Sequence, residues 1–324
     1  MNAESAYLAL LLKAHDEGTP IHNARTGKVC RTLIGEQLKF DLRDGFPALT
    51  TKKLPFKSVL GELLGFFRGY DNAEDFRALG CNVWNQNANE TPAWLANPFR
   101  RGPDDLGRIY GVQWTKWMSY KKVRASDTTM RAYLAGKGYQ YEESVDHGHS
   151  FLYHREVNQL EDVLRRMLSD PSDRRLIISA WNVAELDEMA LAPCHMDYRF
   201  VVDPDSRLLH VVMTQRSADM FLGVPFNMAS TALLLTVMAR FAGYIPATVT
   251  MQFTNAHVYE DHTDAVLEQV SRQPTALPIL GVAGSAPAYV TPAEIPGVFA
   301  SLRPEQFALH EYNPQPAIHA PMAV

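Results

Sequence analysis

Apolar residues recur every three or four positions in four stretches of the chain, which is the period of a helix with one buried face. The stretches are residues 4–17, 56–67, 156–169 and 227–241. Pro55 precedes the second stretch, where proline is favoured at a helix start, and the glycine after residue 242 ends the last one. We therefore predict four helices. The apolar face of the first consists of Tyr7, Leu8, Leu11 and Leu12.

A second pattern, in which apolar and polar residues alternate, indicates strands with one buried face. It covers residues 29–42, which we interpret as a strand pair, and residues 196–203, 207–215 and 249–253 as single strands. Residues 176–180 form a short apolar run that predicts a further, buried strand. The tight turn between the second and third of these alternating stretches is typical in composition: Asp203, Pro204, Asp205 and Ser206.

Residues 121–155 follow neither period. They are rich in charged residues, tyrosine and glycine, and a segment of that kind inside a compact domain is typical of an insertion. We predict an insertion or a small exposed lobe without a catalytic role, within a single domain that spans residues 1–324.

The chain has 324 residues, of which 46% are hydrophobic, so it can bury a continuous core. A formal charge of −5 and a pI near 6.1 argue against bulk electrostatic binding to nucleic acid but allow a local anion site. No basic segment precedes the first apolar run, and no apolar stretch reaches the roughly 18 residues that span a bilayer. We therefore expect a cytoplasmic protein that binds neither membrane nor nucleic acid.

The cysteines lie at wide spacings that fit free thiols rather than disulfides or a Cys-x-x-Cys zinc site: Cys30, Cys81 and Cys194. His147 and His149 stand close together, but no second cluster of ligands accompanies them, and we expect no metal.

Cys194 is the most informative of the three. The thiolate is the nucleophilic form of cysteine and is favoured by positive charge, while guanidinium groups bind phosphate bidentately. Arg174 and Arg175 lie upstream of it and Arg216 lies downstream. One arginine cluster can serve both needs, so the sequence indicates a thiol nucleophile and an anionic substrate.

With these residues in order, the chain resembles the thymidylate synthase family over nearly its full length, apart from residues 121–155 and part of 275–305. The resemblance implies a three-layer α+β subunit and an obligate homodimer paired through its sheet. It also implies methylation of dUMP at C5 with 5,10-methylenetetrahydrofolate as co-substrate. The blocks that carry it are Arg25–Gly27, Phe46–Lys53, Glu62–Leu64, Tyr110–Trp114, Asp173–Arg175, Ser179–Asn182, Met189–His195, Gln215–Ser217, Phe221–Ser230, Ala256–Tyr259 and Ala320–Val324.

The resemblance assigns catalytic roles that the chemistry justifies. Carbon 5 of uracil becomes nucleophilic only after a thiolate has added at carbon 6, which is the role of Cys194. Tyr110 matches the tyrosine that helps remove the C5 proton, and Glu62 the carboxyl that manages protons at the uracil carbonyl and the folate. The largely apolar helical neighbours of Glu62 predict a raised pKa. Asn227 offers one donor and one acceptor, as uracil requires and cytosine does not.

The remaining residues follow from the resemblance alone. For the phosphate it implies Arg25, Arg216 and Ser217 of one subunit with Arg174 and Arg175 of the other. For the sugar it implies His257 and Tyr259. For the folate it implies Lys52 at the glutamate tail, Trp84 as an aromatic contact, Asp219 at the pterin and Val324 in a closing C-terminal lid.

Three other interpretations stay open at this point. Asp197, where an apolar residue facing the core is expected, can recruit a water that traps the exocyclic methylene as hydroxymethyl-dUMP, which makes the chain a hydroxymethylase. A catalytically silent nucleotide- or RNA-binding homologue predicts binding without an adduct. A hydrolase using Cys194 and His195 is disfavoured because neighbours on a strand point to opposite faces. Taken singly, each residue also has an ordinary structural explanation, such as a buried small side chain for Cys194.

Overall fold

The structure is a computed structural model, and it describes residues 2–24 and 26–322. Its helices are α1 Ala3–Glu17, α2 Phe56–Phe67, α3 Ala73–Ala78, α4 Asn85–Asn89, α5 Pro92–Leu95, α6 Tyr110–Thr115, α7 Thr128–Gly136, α8 Gln159–Ser169, α9 Gly223–Ala242 and α10 Thr263–Ser271. Its strands are β1 Thr19–Asn23, β2 Lys28–Asp41, β3 Trp117–Arg124, β4 Gln140–Val145, β5 Ser150–Val157, β6 Ile177–Ser179, β7 His195–Asp203, β8 Leu208–Gln215, β9 Ala218–Asp219, β10 Ile245–Tyr259, β11 Ile279–Val282 and β12 Phe307–His310.

The main sheet has seven strands. Six follow the order β1-β2-β10-β8-β7-β6, and β9 pairs with β10. Strand β10 runs parallel to β8 and β9, whereas the other neighbours are antiparallel, so the sheet is mixed. Helices pack on this sheet and the chain is α+β, as the resemblance implies.

Helix α9 lies at the centre of the core. Almost all of its apolar side chains are buried, and it ends at Gly243, which takes the left-handed conformation (φ 77°) that glycine adopts without steric cost. The helix begins four residues before the predicted start. With 20 residues it is long and apolar enough to cross a membrane, which the sequence prediction had excluded, but 78% of its most apolar window is buried inside the protein. It is a core helix by packing.

The sequence patterns locate most elements but misjudge the extent or buried face of several. Helix α2 has the predicted bounds, and β7 and β8 begin within one residue of theirs. The strand pair over residues 29–42 is wrong: β2 is one strand of 14 residues whose hairpin partner is β1. Helix α8 begins three residues late because β5 continues through Val157. In α1 the buried face uses Leu10 and Ala14, while Leu12 is 39% exposed.

A second, three-stranded sheet in the order β3-β5-β4 packs with α7 and forms the lobe, defined here as residues 117–157. The lobe has its own small apolar cluster, made by Val123, Leu134 and Tyr153. It encloses the segment in which the sequence shows no periodicity. That this lobe is an insertion into a single domain stays a prediction.

Candidate active site

Cys194 stands one residue before β7 and is partly exposed. The backbone N–H of Arg216 donates to its carbonyl at 3.0 Å, which continues the pairing of β7 with β8. The guanidinium of Arg216 donates to the carbonyls of Pro193 at 2.9 Å and Ala192 at 2.8 Å, and lies over the Trp181 ring at 5.5 Å. Arg216 therefore holds the loop that presents the thiol, beside which its positive charge lies.

Tyr110 reaches Cys194 from the first residue of α6. The backbone N–H of Cys194 donates to the Tyr110 phenol oxygen at 2.6 Å, although the two residues are 84 positions apart. The ring stacks on Phe66 at 5.2 Å and meets Trp84 edge-on at 5.8 Å. Burial, with the nearby Cys194, raises the pKa of Tyr110 well above its ordinary value. The phenol therefore keeps its proton beside the nucleophile.

Glu62 is buried in α2 on the same side of the site. Burial raises the pKa of its carboxyl from 4.5 to about 8, and the Trp84 indole beside it opposes part of that shift. The prediction of a raised pKa is confirmed. At neutral pH the carboxyl is mostly protonated and is available as a proton donor.

Asn227 lies in the first turns of α9. Its side-chain oxygen accepts a hydrogen bond from Gln215 at 3.0 Å, and Gln215 also donates to the Ser217 carbonyl at 2.9 Å. An amide oxygen accepts two hydrogen bonds, so Asn227 retains capacity for a ligand. Sequence reasoning gave Gln215 no role. Its inward position in the alternation of β8, where the neighbouring inward residues are apolar, is the signal that marks it.

A second group gathers where β9 meets β10. Asp219 is in register with His257, and the His257 ring meets Tyr259 edge-on at 5.1 Å. Burial lowers the pKa of His257, and Asp219 opposes the shift. The carboxylate of Asp219 also accepts the backbone N–H groups of Phe221 and Leu222, at 2.9 and 3.0 Å, just before α9 begins.

Gly223 joins the two groups. A Cβ atom at this position would lie 3.4 Å from the Asp219 Cβ and 3.8 Å from the Asn227 side-chain oxygen. Asp219, which is expected to bind the folate, and Asn227, which is expected to recognise the uracil base, therefore both lie next to a residue without a side chain. Asp219 ends β9 and Asn227 lies in the first turns of α9, so the short connection between the two elements brings them together.

Lys52 does not extend into solvent. Its ammonium donates to the Phe221 carbonyl at 2.5 Å and lies 3.5 Å from the centre of the Phe221 ring. Burial lowers the pKa of Lys52 to about 7, against the attraction of Asp219. Binding of the folate glutamate tail by Lys52 stays a prediction, and it requires the side chain to leave this position.

Arg174 and Arg175 are exposed at the far edge of the sheet, just before β6. Arg175 is 76% exposed at its side chain and forms a two-point contact with Asp173 at 2.8 and 3.1 Å. Among the described residues, neither arginine forms a hydrogen bond with the Cys194 loop. Their exposure leaves them available to a second subunit.

Two expected residues, Arg25 and Val324, lie outside the described residues. Within the described residues no group of three or more histidine, cysteine or acidic side chains is placed to hold a metal ion.

Asp197 is partly buried, with 16% of its side chain exposed. It pairs with Arg199 at 3.0 Å, while the alternate residues Tyr198 and Phe200 are the buried ones. A register shift between His195 and Asp197 sets this alternation. One carboxylate oxygen of Asp197 is buried and accepts no well-aligned hydrogen bond among the described residues, so a water held by Asp197 stays a prediction.

A partly exposed thiol whose loop contacts a buried phenol and an arginine, beside a mixed sheet, is an arrangement typical of enzymes that use nucleophilic catalysis. The thymidylate synthase family model matches residues 5–324. Proteins named thymidylate synthase are 42% identical in Pseudomonas syringae pv. tomato, over 98% of this chain and 99% of that protein, and 42% identical in Bordetella parapertussis, over the same shares. One from Shewanella pealeana is 38% identical over 85% of this chain and 86% of its own length.

The chain therefore belongs to the thymidylate synthase family and is a methyltransferase of that type.

Proposed function

We propose that this protein methylates dUMP at C5 to give dTMP, with 5,10-methylenetetrahydrofolate as the source of both the one-carbon unit and the hydride. The observation that carries the proposal is the contact between the Tyr110 phenol and the backbone of Cys194 at 2.6 Å, because it places a protonated phenol beside the thiol. Family membership supplies the reaction class.

The thiolate of Cys194 adds to C6 of the uracil ring. A lone pair of the thiolate forms the new S–C6 bond, and the π pair of the C5–C6 double bond moves towards C4, which gives an enolate with its charge on O4. A proton donor near O4 stabilises that charge, and Glu62 is protonated at neutral pH for this purpose. Carbon 5 is then the nucleophile towards the one-carbon unit.

The later steps return every group to its starting state. The C5 proton leaves through ordered water at the Tyr110 phenol, and the bond between the one-carbon unit and the folate nitrogen breaks, which leaves an exocyclic methylene on C5 and releases tetrahydrofolate. Hydride transfer from that tetrahydrofolate to the methylene completes the methyl group and oxidises the folate to dihydrofolate. Expulsion of the Cys194 thiolate restores the C5–C6 double bond. The products are dTMP and dihydrofolate.

Asn227 selects uracil in this proposal. Its NH2 donates to O4 and its oxygen accepts from N3–H, while Gln215 fixes the orientation of the amide. Cytosine presents the reverse pattern and would leave buried groups unpaired, at a cost of about 1–3 kcal/mol.

The phosphate is bound by Arg216 and Ser217 of one subunit and by Arg174 and Arg175 of its partner. Support comes from the exposure of the latter pair and of large apolar side chains on the main sheet, where Ile34 is 79% and Val201 is 55% exposed. We propose a homodimer paired through that sheet, with Arg25 completing the phosphate site.

His257 and Tyr259 bind the sugar. Asp219, Trp84, Lys52 and Val324 act on the folate side.

One incubation tests the reaction. With dUMP and methylenetetrahydrofolate we expect dTMP by mass and a matching rise in dihydrofolate absorbance. Hydroxymethyl-dUMP without dihydrofolate would instead identify a hydroxymethylase. In parallel, 5-fluoro-dUMP with folate should add its mass to the peptide that contains Cys194, and Cys194→Ser is the matched control. Binding without an adduct would mean a silent homologue.

A further inference from the structure

His262 is fully buried just after β10, and it contacts the last described part of the C-terminal tail. Its Nε2 lies 2.8 Å from the carbonyl oxygen of Pro321, 59 positions along the chain. Because a carbonyl oxygen only accepts, Nε2 carries the proton and donates. Nδ1 is then an acceptor, and among the described residues it has no hydrogen-bond partner.

The same ring contacts both halves of the proposed site. It meets the ring of Phe221 at 5.6 Å, and Phe221 lies two positions before α9 and accepts a hydrogen bond from Lys52 at its carbonyl. On another side it lies 5.2 Å from the Tyr259 ring, which the proposed function places at the sugar. A single imidazole therefore touches the folate side, the nucleotide side and the tail.

The neighbouring carboxylate does not explain this position. Asp261 lies 3.9 Å from Nε2, but its other oxygen is 2.5 Å from the ammonium of Lys28. The Pro321 carbonyl is the closer partner by about 1 Å, since the two distances are 2.8 and 3.9 Å. The distance of 2.8 Å to the Pro321 carbonyl is that of a hydrogen bond, whereas 3.9 Å to Asp261 is too long for one.

We propose that His262 is a positioning residue that fixes the C-terminal tail against the folate side of the site through the Pro321 carbonyl. The proposal rests on the proposed function, because it assigns the tail a part in the folate-dependent step. The ring holds the tail in register with Phe221 and Tyr259, so that a tail released from His262 no longer covers the folate. His262 itself touches neither reacting atom.

Two substitutions of His262 distinguish the contribution of its hydrogen bond from that of its ring. His262→Phe keeps a ring of similar size and removes the donor, while His262→Gln keeps an N–H near the Nε2 position and removes the ring. Asp261→Asn is the control for the nearby charge. Loss of one such hydrogen bond is worth about a tenfold change in an equilibrium.

The first measurement needs no activity. Carboxypeptidase trimming of the purified protein, followed by mass spectrometry, should proceed about tenfold faster in His262→Phe, because cleavage follows the population of the released tail. We expect His262→Gln to restore most of the protection and Asp261→Asn to match the unsubstituted protein. Equal trimming in all four proteins would overturn the proposal, as would a fall in the melting temperature of His262→Phe together with trimming that continues far beyond the tail.

The second measurement uses the reaction. His262→Phe should raise KM for the folate about tenfold and lower kcat, while KM for dUMP changes by less than about twofold. An equal loss for both substrates would indicate a general structural role and contradict the proposal. If the unsubstituted protein makes no dTMP, the proposed function fails, and the trimming result alone then decides whether His262 holds the tail.

Discussion

The pocket around Cys194 and the lobe differ in how their contacts are distributed along the chain. In the pocket, the phenol that meets Cys194 comes from 84 positions away. In the lobe, Ser119 contacts Tyr139 and Arg131 contacts Tyr153, at separations of 20 and 22. The geometry of the pocket therefore depends on the whole fold, whereas the lobe holds itself together. Substitutions in the two regions should have effects of very different size on the reaction.

Cys194→Ser is expected to have the largest effect. A serine hydroxyl is a far weaker nucleophile at neutral pH than a thiolate, so we expect dTMP formation to fall on the order of 10⁴-fold or more. Because Cys194 is partly exposed, the melting temperature should stay close to that of the unsubstituted protein. A substituted protein that still forms dTMP at more than about a hundredth of the original rate would refute the covalent step.

Glu62→Gln is expected to come next, with a loss of about 10²- to 10⁴-fold in kcat, as for a general acid–base group. It should also change the pH dependence of stability. Since the folded pKa of about 8 lies above the ordinary 4.5, the folded state holds an extra proton between these values. Stability that is fully present below pH 4.5 is lost as pH rises through about 8.

Urea denaturation of the unsubstituted protein at several pH values should therefore show a decline across this window. The decline should be smaller in Glu62→Gln, because an amide does not titrate. Identical slopes in the two proteins would show that Glu62 is not the group that carries the shift.

Arg175→Ala should raise KM for dUMP about 10- to 100-fold, which is the range for one hydrogen-bonded charge. If Arg175 serves the partner subunit, a mixture of Arg175→Ala and Cys194→Ser chains should regain activity. Random pairing gives half heterodimers, each with one intact site, or about a quarter of all sites. No recovery after refolding the mixture would place Arg175 at its own subunit's site or at none.

Leu134→Ala is expected to have the smallest effect on the reaction. It removes a buried side chain from the cluster of the lobe, so amide exchange should speed up in residues 117–157. We expect kcat to change by less than about twofold, because the lobe holds no residue of the proposed site. A parallel loss of kcat would show that the lobe is coupled to α6 through β3.

Patterns in the sequence predict local elements well and contacts between distant residues poorly, which is the same contrast as that between the lobe and the surroundings of Cys194. The apolar period of α2 and the alternation of β8 are local signals, and both elements form where they are expected. The inward turn of Lys52 and the contact between Tyr110 and Cys194 depend on residues distant in sequence. No periodicity reports such contacts. The family motifs supplied the site residues because they carry that long-range information in a form that spacing alone does not.

Even local patterns fail where two elements compete for one stretch of chain. The pattern of residues 156–158 predicts the start of a helix, but Val157 pairs with Trp117 in the lobe sheet. Helix α8 therefore begins only after Asn158, whose side chain caps it. Tertiary pairing overrides the helical period there.

The position of Trp181 has a practical consequence. Its indole lies under the guanidinium of Arg216, the group that holds the Cys194 loop. A phosphate that draws this cation away from the ring changes the electric field at a natural fluorophore. We therefore expect nucleotide binding at Arg216 to change the ultraviolet emission of Trp181, one of five tryptophans in the chain.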